Sequence, residues 1–349
     1  MERQSACHTY RGDAANAKMI RVAILGRGLA GSTFHAPLIG ALPEFHLVAV
    51  AGSTDVPSLI TDPAIDLVVV ATPDATHFEL AAAALHSGKH VVVEKPVTTS
   101  SEQAAELIRL AAEQGKQLIP FHNRRWDGDF LTVQQVMNSG RLGEIRLYES
   151  YWDRFRPQVP HTWRETPGAG AGTLWNLGPH LIDQMLVLFG RPQTIQGDLE
   201  SQRAGAKAVD YFALSFEYGA MRAIVGCSNL VADPRPRFAL HGTQGSFVKF
   251  GLDPQEGQLK SGLDPKACVF GHSAATEDGK MTSSTGAVEQ ISTQPGQYLA
   301  FYRQVAATIE GKAPPPVDAH DAVAGIRIIE CAIESRAENR RLLFDIPKG

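Results

Sequence analysis

The stretch Gly172-Thr-Leu-Trp-Asn-Leu-Gly-Pro-His-Leu-Ile-Asp183 carries residue types that are suited to moving protons. Asn176, His180 and Asp183 stand at i, i+4 and i+7, so one helix through them would place all three on the same face. Because proline prefers the first helical turn, the helix can instead begin near Pro179, with Asn176 on the loop before it. The helix dipole at a helix start would disfavour the protonated imidazole of His180. A neutral imidazole can accept a proton, so this position would suit a base. The spacing alone favours a histidine buried for packing, and Asp183 is expected to be structural, for example by pairing with an arginine.

A second candidate, Lys95, stands between Glu94 and Pro96, directly after the apolar run His90–Val93. In an open parallel sheet, the residues just beyond the strand ends line the ligand crevice. Hydride transfer from a carbinol requires a base for the hydroxyl proton and a positive group for the developing alkoxide. We predict that His180 and Lys95 fill these catalytic roles, and that Asn176 lies beside them. The alternative for Lys95 is an ordinary solvated lysine.

A glycine-rich turn follows the apolar run Ile20–Leu25 and precedes a helical pattern that reaches about residue 42. Its glycines permit a tight turn, the approach of a pyrophosphate, and close packing of the helix on the strand. The strand-turn-helix context favours a dinucleotide site over an ordinary glycine turn. The predicted cofactor contacts in this turn are Gly26, Gly28, Leu29, Ala30 and Gly31.

The next strand, Phe45–Ala51, ends at Gly52-Ser53-Thr54-Asp55, where an acidic residue would bind the ribose hydroxyls of NAD. No acid stands directly at the strand end. Ser53 and Thr54 are predicted to face a ribose phosphate, which favours NADP over NAD, although no arginine follows them. The interval before the strand at residues 65–71 is near the minimum for a parallel crossover, so a usual helix and strand are expected to be missing and the adenosine side to be open.

Further cofactor contacts are predicted just beyond the later strands of the same sheet. One of them, His77, lies in the first turn of a helix. There a histidine is as well suited to hydrogen-bond backbone groups as to contact the cofactor. The complete predicted set is Thr72, Pro73, His77, Glu94, Lys95 and Asn123.

The order of elements predicts an α/β fold with two domains. Residues 1–18 are expected to be a disordered leader, and residues 19–121 a Rossmann domain with a doubly wound parallel sheet. Residues 122–349 are expected to form an α+β domain for substrate binding and oligomerisation, in which successive strands build a large, mostly antiparallel sheet. The Gly-, Ser-, Thr- and Asp-rich residues 251–296 are predicted to be loops.

Composition excludes several classes of protein. The chain has 349 residues, 44% of them hydrophobic, and a net charge of only −4 with scattered basic residues. Binding to nucleic acid or to a membrane is therefore not expected. The four cysteines lie far apart without a Cys-x-x-Cys pair, so we expect no metal site and a reducing compartment, the cytoplasm. Neither a signal peptide nor a membrane span is evident in the sequence.

Together these motifs resemble the Gfo/Idh/MocA family of oxidoreductases, and most closely its bacterial scyllo-inositol dehydrogenase branch. The resemblance rests on Gly26-Arg-Gly-Leu-Ala-Gly31, Ala71-Thr-Pro-Asp-Ala-Thr-His77, His90-Val-Val-Val-Glu-Lys-Pro96, the 172–183 stretch and His122-Asn-Arg-Arg-Trp-Asp127. It implies a dehydrogenase that uses NAD or NADP on a cyclitol or sugar hydroxyl, with Lys95 and His180 as the catalytic pair and position 176 binding substrate hydroxyls. It also implies a homodimer or dimer of dimers, formed through the second-domain sheets.

Two features depart from that family. The interval between Gly52 and Ile65 is short, and Asn176 replaces the expected aspartate. An amide can hydrogen-bond a sugar hydroxyl, but it cannot raise the basicity of His180 by charge. The departures leave open a second hypothesis, a catalytically weak sensor that binds the dinucleotide, whereas the presence of both Lys95 and His180 favours an enzyme.

The loop at residues 151–173 is expected to determine the substrate. Its candidate contacts are Arg154, Arg156, His161, Trp163 and Arg164. The alternative is that the arginines are solvated, as exposed arginines usually are.

Overall fold

The N-terminal part of the chain forms a parallel sheet. The computed structural model describes residues 19–52 and 54–345, so the predicted leader and Ser53 lie outside the described residues. The strands are β1 (Ile20–Leu25), β2 (Phe45–Ala51), β3 (Leu67–Val70), β4 (His90–Val93) and β5 (Leu118–Pro120), in the spatial order β2-β1-β3-β4-β5. Every neighbouring pair is parallel, and β3 is buried along its whole length, as expected for a sheet covered on both faces. The predicted Rossmann-type sheet is confirmed.

Short helices connect these strands. They are a π-helical turn (Ala30–His35) leading into α1 (Ala36–Gly40), then α2 (Val56–Thr61), α3 (His77–His86) and α4 (Ser101–Glu113). Within the described residues, α2 is the sole helix or strand between β2 and β3, and β2 is the edge of the sheet. The short interval therefore retains a helix but lacks a strand outside β2, which leaves the adenosine end of the crevice at the sheet edge.

The C-terminal part contains a nine-stranded sheet in the order β13-β12-β11-β10-β6-β9-β8-β7-β14. Its first strands along the chain are β6 (Ile145–Tyr151), β7 (Thr194–Glu200), β8 (Tyr211–Tyr218), β9 (Met221–Ser228), β10 (Phe238–Gly242) and β11 (Gly245–Lys249). Among the described strands of this sheet, only β6 and β9 pair in parallel. Two helices, α5 (Gly128–Asn138) and α6 (Gly172–Phe189), precede and follow β6. The predicted mostly antiparallel sheet is confirmed.

The prediction that residues 251–296 are loops is wrong. This segment contains α7 (Gln255–Lys260), β12 (Gly279–Ser283) and β13 (Val288–Ile291), and the two strands extend the sheet beyond β11. The residues of β13 are exposed or half-buried, so these edge strands carry little of the hydrophobic alternation that marks a strand in a sequence. The last strand is β14 (Leu342–Leu343).

Two C-terminal helices pack differently. In α8 (Tyr298–Ile309), Phe301 stacks edge-on against Phe121, with ring centroids 4.9 Å apart, and thus belongs to the core of the first sheet. In contrast, α9 (Ala319–Glu338) packs against α6 and β7 of the second domain and also against α4 of the first. The division at residue 121 remains a prediction, and the first core draws on chain from beyond it. None of the described helices is long and apolar enough to cross a membrane.

Candidate active site

A cleft of about 690 Å³ lies at the carboxyl ends of the first sheet, between that sheet and the second domain. It gathers residues that are far apart in the sequence, as expected for the crevice of an open parallel sheet. The predicted site residues that line it are Gly26, Gly28, Leu29, Ala30, Thr72, Pro73, Glu94, Lys95, Asn123, Asn176 and His180.

The glycine turn forms one end of the cleft, and each glycine has a different reason for lacking a side chain. Gly26 has φ of +120°, and a Cβ there would lie 2.3 Å from the carbonyl oxygen of Ala71. A Cβ on Gly31 would lie 1.9 Å from the carbonyl oxygen of Gly26, so Gly31 serves helix-strand packing and does not line the cleft. No heavy atom lies within 4 Å of a Cβ on Gly28, which therefore borders open space where a ligand can approach.

Two further predicted cofactor contacts lie away from the cleft. His77 is fully buried, and its ring nitrogens lie 2.7 Å from the Pro96 carbonyl oxygen and 2.9 Å from that of Thr72. It connects the loops after β3 and β4 by hydrogen bonds to their backbone. This is the backbone role that was the alternative to a cofactor contact for His77. Thr54 is exposed and donates to Asp55, so the described geometry does not place it against a ribose. Ser53 lies outside the described residues.

Arg27, inside the glycine turn, was missed as a site residue. Its Nε donates to the Val50 carbonyl oxygen at 3.0 Å, and its Nη2 lies 3.3 Å from Asp55 Oδ2. The guanidinium also lies beside Gly52, at the adenosine end of the cleft. No arginine directly follows β2 in the sequence, and the only signal for Arg27 was its place within the glycine motif.

Lys95 connects the two domains across the cleft. Its Nζ donates to the backbone oxygen of Asn176 at 2.6 Å and to the side-chain Oδ1 of the same residue at 3.4 Å. Burial lowers the pKa of Lys95 to about 8, although the negative charges of Glu94 and Asp74 oppose the shift. Burial alone would raise the pKa of Glu94, but its hydrogen bond to His35 and the charge on Lys95 hold that pKa below its usual range.

His180 lies in the middle of α6, which runs continuously from Gly172 to Phe189 with Pro179 inside it. The alternative that the helix begins near Pro179 is therefore wrong, and so is the helix-dipole reason for a neutral imidazole. Burial lowers the pKa of His180 well below its ordinary value, and the positive charges of Lys95 and Arg124 add to this effect. Its buried Nδ1 has no hydrogen-bond partner among the described residues.

Asp183 holds an arginine, as expected. Its carboxylate accepts from Arg125 Nε at 2.9 Å and from Arg125 Nη2 at 2.6 Å, and the same guanidinium reaches Asp321 at 2.8 Å. Burial alone would raise the pKa of Asp183, but the charges of Arg125 and His122 keep it low. Asp183 is therefore a fixed anion beneath the site, one turn after His180.

The wall of the cleft opposite Lys95 is cationic and aromatic. From the loop after β6, Arg154, Arg156, Trp163 and Arg164 line it, whereas His161 does not. Trp152, which sequence reasoning missed, lies with its ring centroid 5.9 Å from that of His180. The other missed lining residues include Arg124, Glu256 and Lys260. Their separation in the sequence gave no signal of this proximity.

The chain matches two domains of one family of known proteins. Residues 52–122 match the NAD-binding Rossmann fold of the Gfo/Idh/MocA oxidoreductase family, and residues 134–343 match its C-terminal alpha/beta domain. The chain belongs to this family, which confirms the resemblance, and it is an oxidoreductase with an NAD(P)-binding Rossmann domain.

Individual relatives match along nearly the whole chain. It is 39% identical to the scyllo-inositol 2-dehydrogenase (NADP(+)) IolW of Bacillus subtilis, over 93% of this chain and 96% of the relative. It is 43% identical to the uncharacterized oxidoreductase YdgJ of Escherichia coli, over 93% and 98%. The solved structure of yvaA from Bacillus subtilis superimposes with a TM-score of 0.92 at 39% identity, covering 95% of this chain and all of the other.

Proposed function

We propose that this protein transfers a hydride between a nicotinamide cofactor and a hydroxyl or ketone carbon of a cyclitol or sugar. The observation that carries the proposal is the convergence of Lys95, Asn176 and His180 in the cleft that begins at the glycine turn. The similarity to a scyllo-inositol 2-dehydrogenase supports a polyol as the substrate.

The residues present fit a dinucleotide. Gly28 leaves open space at the start of the turn, and a helix begins at Ala30, where free backbone N–H groups attract a pyrophosphate. Thr72 and Pro73 extend the same wall toward Lys95. When bound, the nicotinamide accepts the hydride or returns it.

The chain's own residues manage the proton and the charge. Neutral His180 takes the hydroxyl proton at a ring nitrogen and gives it back in the reverse direction. A lysine ammonium has three N–H donors, and two of those of Lys95 point at Asn176, so one remains for the substrate oxygen. Asn176, whose Oδ1 accepts from Lys95, retains its amide donors for a substrate hydroxyl. The buried surroundings strengthen these interactions.

A sensor of the same family is the second candidate. Asn176 and the missing strand beside β2 favour it, because both weaken features that turnover uses. The buried, unpartnered Nδ1 of His180 and the buried ammonium of Lys95 favour the enzyme, since such groups cost stability without a task.

Turnover tests the proposal directly. We expect reduction of NAD or NADP with at least one member of a panel of inositols and aldoses.

We expect Asn176→Asp to raise turnover, because a carboxylate beside His180 favours its protonated form and so makes it a stronger base. The measurement is absorbance at the reduced nicotinamide band with both cofactors in parallel. Equal or lower activity of Asn176→Asp contradicts the role given to Asn176, and tight dinucleotide binding without turnover in either protein favours the sensor.

The pH profile of polyol oxidation tests the charge assignment. The lowered pKa of His180 predicts no loss of kcat/KM near pH 6.5, where an ordinary histidine would become protonated. Lys95 must be protonated, so activity is expected to fall as the pH rises through about 8. Lys95→Arg keeps its proton and is expected to remove this alkaline limb at a lower overall rate. The control Lys266→Arg changes an exposed lysine outside the cleft and is expected to lose activity at alkaline pH as the wild type does. If activity still falls above about pH 8 in Lys95→Arg, a group other than Lys95 causes the loss.

For the cofactor we favour NADP, recognised by Arg27. Its guanidinium lies beside Gly52 with Asp55 as its anionic neighbour, so a ribose phosphate can take over that ion pair. We expect Arg27→Gln to weaken NADP binding about tenfold and to leave NAD binding nearly unchanged. Isothermal titration of the free protein with each dinucleotide measures both. An equal loss of affinity for NADP and NAD would mean that Arg27 contacts a part of the dinucleotide that both cofactors share.

We also propose a homodimer, or a dimer of dimers, built through the nine-stranded sheet. One row across its face opposite α6 and α9 carries half-buried residues, among them Val248, Glu149, Ile224 and Ser215. A face of this kind is suited to a symmetric partner. Sedimentation velocity is expected to give at least twice the chain mass of 37.7 kDa. Ile224→Glu should shift the protein to monomers. The control Ile333→Glu, on the exposed side of α9, should leave the assembly intact. A monomeric wild type would contradict the proposed dimer.

A further inference from the structure

Arg154 and Arg156 are presented to the cleft by an extended segment. Phe155 forms an isolated β-bridge with Leu230, and the N–H groups of Arg154 and Arg156 donate to backbone oxygens of residues 228 and 229 at 2.9 and 2.7 Å. Side chains alternate along extended backbone, so the two arginines share one side while Phe155, 59% exposed, takes the other. Both arginines line the cleft.

Two ion pairs hold this loop in place. Asp153, at the start of the segment, accepts two hydrogen bonds from Arg235, both at 2.8 Å. Arg203 donates to the backbone oxygens of Arg156 and Gln158 while pairing with Glu165. The two cleft arginines are thus positioned by a preformed scaffold, which lowers the entropic cost of using them to bind a ligand.

The arginines that build the scaffold are neutralised, but those that face the cleft are not. In the part of the chain that the structure describes, no carboxylate forms an ion pair with Arg154, Arg156 or Arg164. Burial lowers the pKa of Arg154, and the nearby charge of Arg156 lowers it further. The buried Nε of Arg164 has no hydrogen-bond partner among those residues either. Arg154 and Arg164 are half-buried and Arg156 is exposed, so three guanidinium groups without a carboxylate partner face one cleft, an arrangement that suits an anionic ligand.

Their position favours the substrate over the cofactor as the source of that anion. Arg154 lies 5.8 Å from the ring centroid of Trp152, and the same ring has His180, Arg124 and Arg237 as neighbours. This is the proton-transfer end of the cleft. Asn176 also contributes no negative charge there, so the cationic character of this end is not balanced from α6.

We propose that the substrate carries an anionic substituent, a carboxylate or a phosphate, which Arg154 and Arg156 bind while Lys95 and His180 act on a hydroxyl elsewhere on the same molecule. Two guanidinium groups on one side of a strand can meet two oxygens of one anion, and arginine forks match carboxylate and phosphate geometry. This inference rests on the proposed dehydrogenase function, and it narrows the substrate from neutral polyols to acidic or phosphorylated ones.

Isothermal titration of the full chain saturated with NADP tests the inference. The probes are hexuronates and hexose 6-phosphates, each compared with its neutral parent hexose. We expect at least one anionic probe to bind about tenfold or more tightly than its parent, and the difference to shrink as ionic strength rises. Arg154→Gln and Arg156→Gln should each remove most of the difference, and Arg154→Lys should keep part of it. Arg109→Gln, at an exposed arginine of α4 outside the cleft, is the matched control and should behave as the wild type.

The outcomes separate this inference from the proposed function. Preference for a hexuronate identifies the anion as a carboxylate, and preference for a 6-phosphate identifies it as a phosphate monoester; either supports the inference. Equal affinity for charged and neutral probes, no binding of any anionic probe, or an unchanged preference in Arg154→Gln overturns it. Cofactor reduction is recorded on the same samples, so turnover of neutral polyols without preference for acids rejects the anion site alone. Tight binding of acids without any cofactor reduction rejects the dehydrogenase instead.

Discussion

The hydrogen bond from Lys95 Nζ to the backbone of Asn176 is the contact on which the site depends. It joins the loop after β4 in the first domain to the N-terminal part of α6 in the second, at 2.6 Å. Asn176 lies one helical turn before His180, and the charge of Lys95 adds to burial in lowering the pKa of that imidazole. One contact therefore connects the two domains at the reacting end of the cleft and places a cation near the imidazole.

The sequence predicted the parts whose pattern is local. The strands β1 and β2 and the helix α8 occur where apolar periodicity and turn residues placed them, although only the ends of β2 are buried. The strands β12 and β13 were missed because they are held by strand pairing near a sheet edge, β12 with β11 and β13 with β12, which leaves no strong alternation in β13. At the site, the glycine turn and Lys95 follow from short motifs, whereas Trp152 and Arg124 approach His180 only through tertiary packing.

His180 is neutral for a different reason than the one its sequence neighbours suggest. Proline at position 179 suggested a helix start, but an internal proline is tolerated because α6 is buried along most of its length and held by packing on both sides. The effect attributed to the helix dipole comes instead from burial and from neighbouring cations. The distinction matters, because a dipole effect would belong to the backbone, whereas cation effects change with any side chain that adds or removes charge nearby.

The charges around the cleft follow one rule. Arginines that hold the fold, such as Arg125, Arg203 and Arg235, each have a carboxylate within hydrogen-bond distance. Such pairs fix geometry without adding net charge to the site. Replacing the family aspartate by Asn176 removes a negative charge in a region where the fold has already neutralised its structural cations. The positive charge that remains therefore belongs to groups that face the cleft. It favours the binding of anions and adds to burial in lowering the pKa of His180.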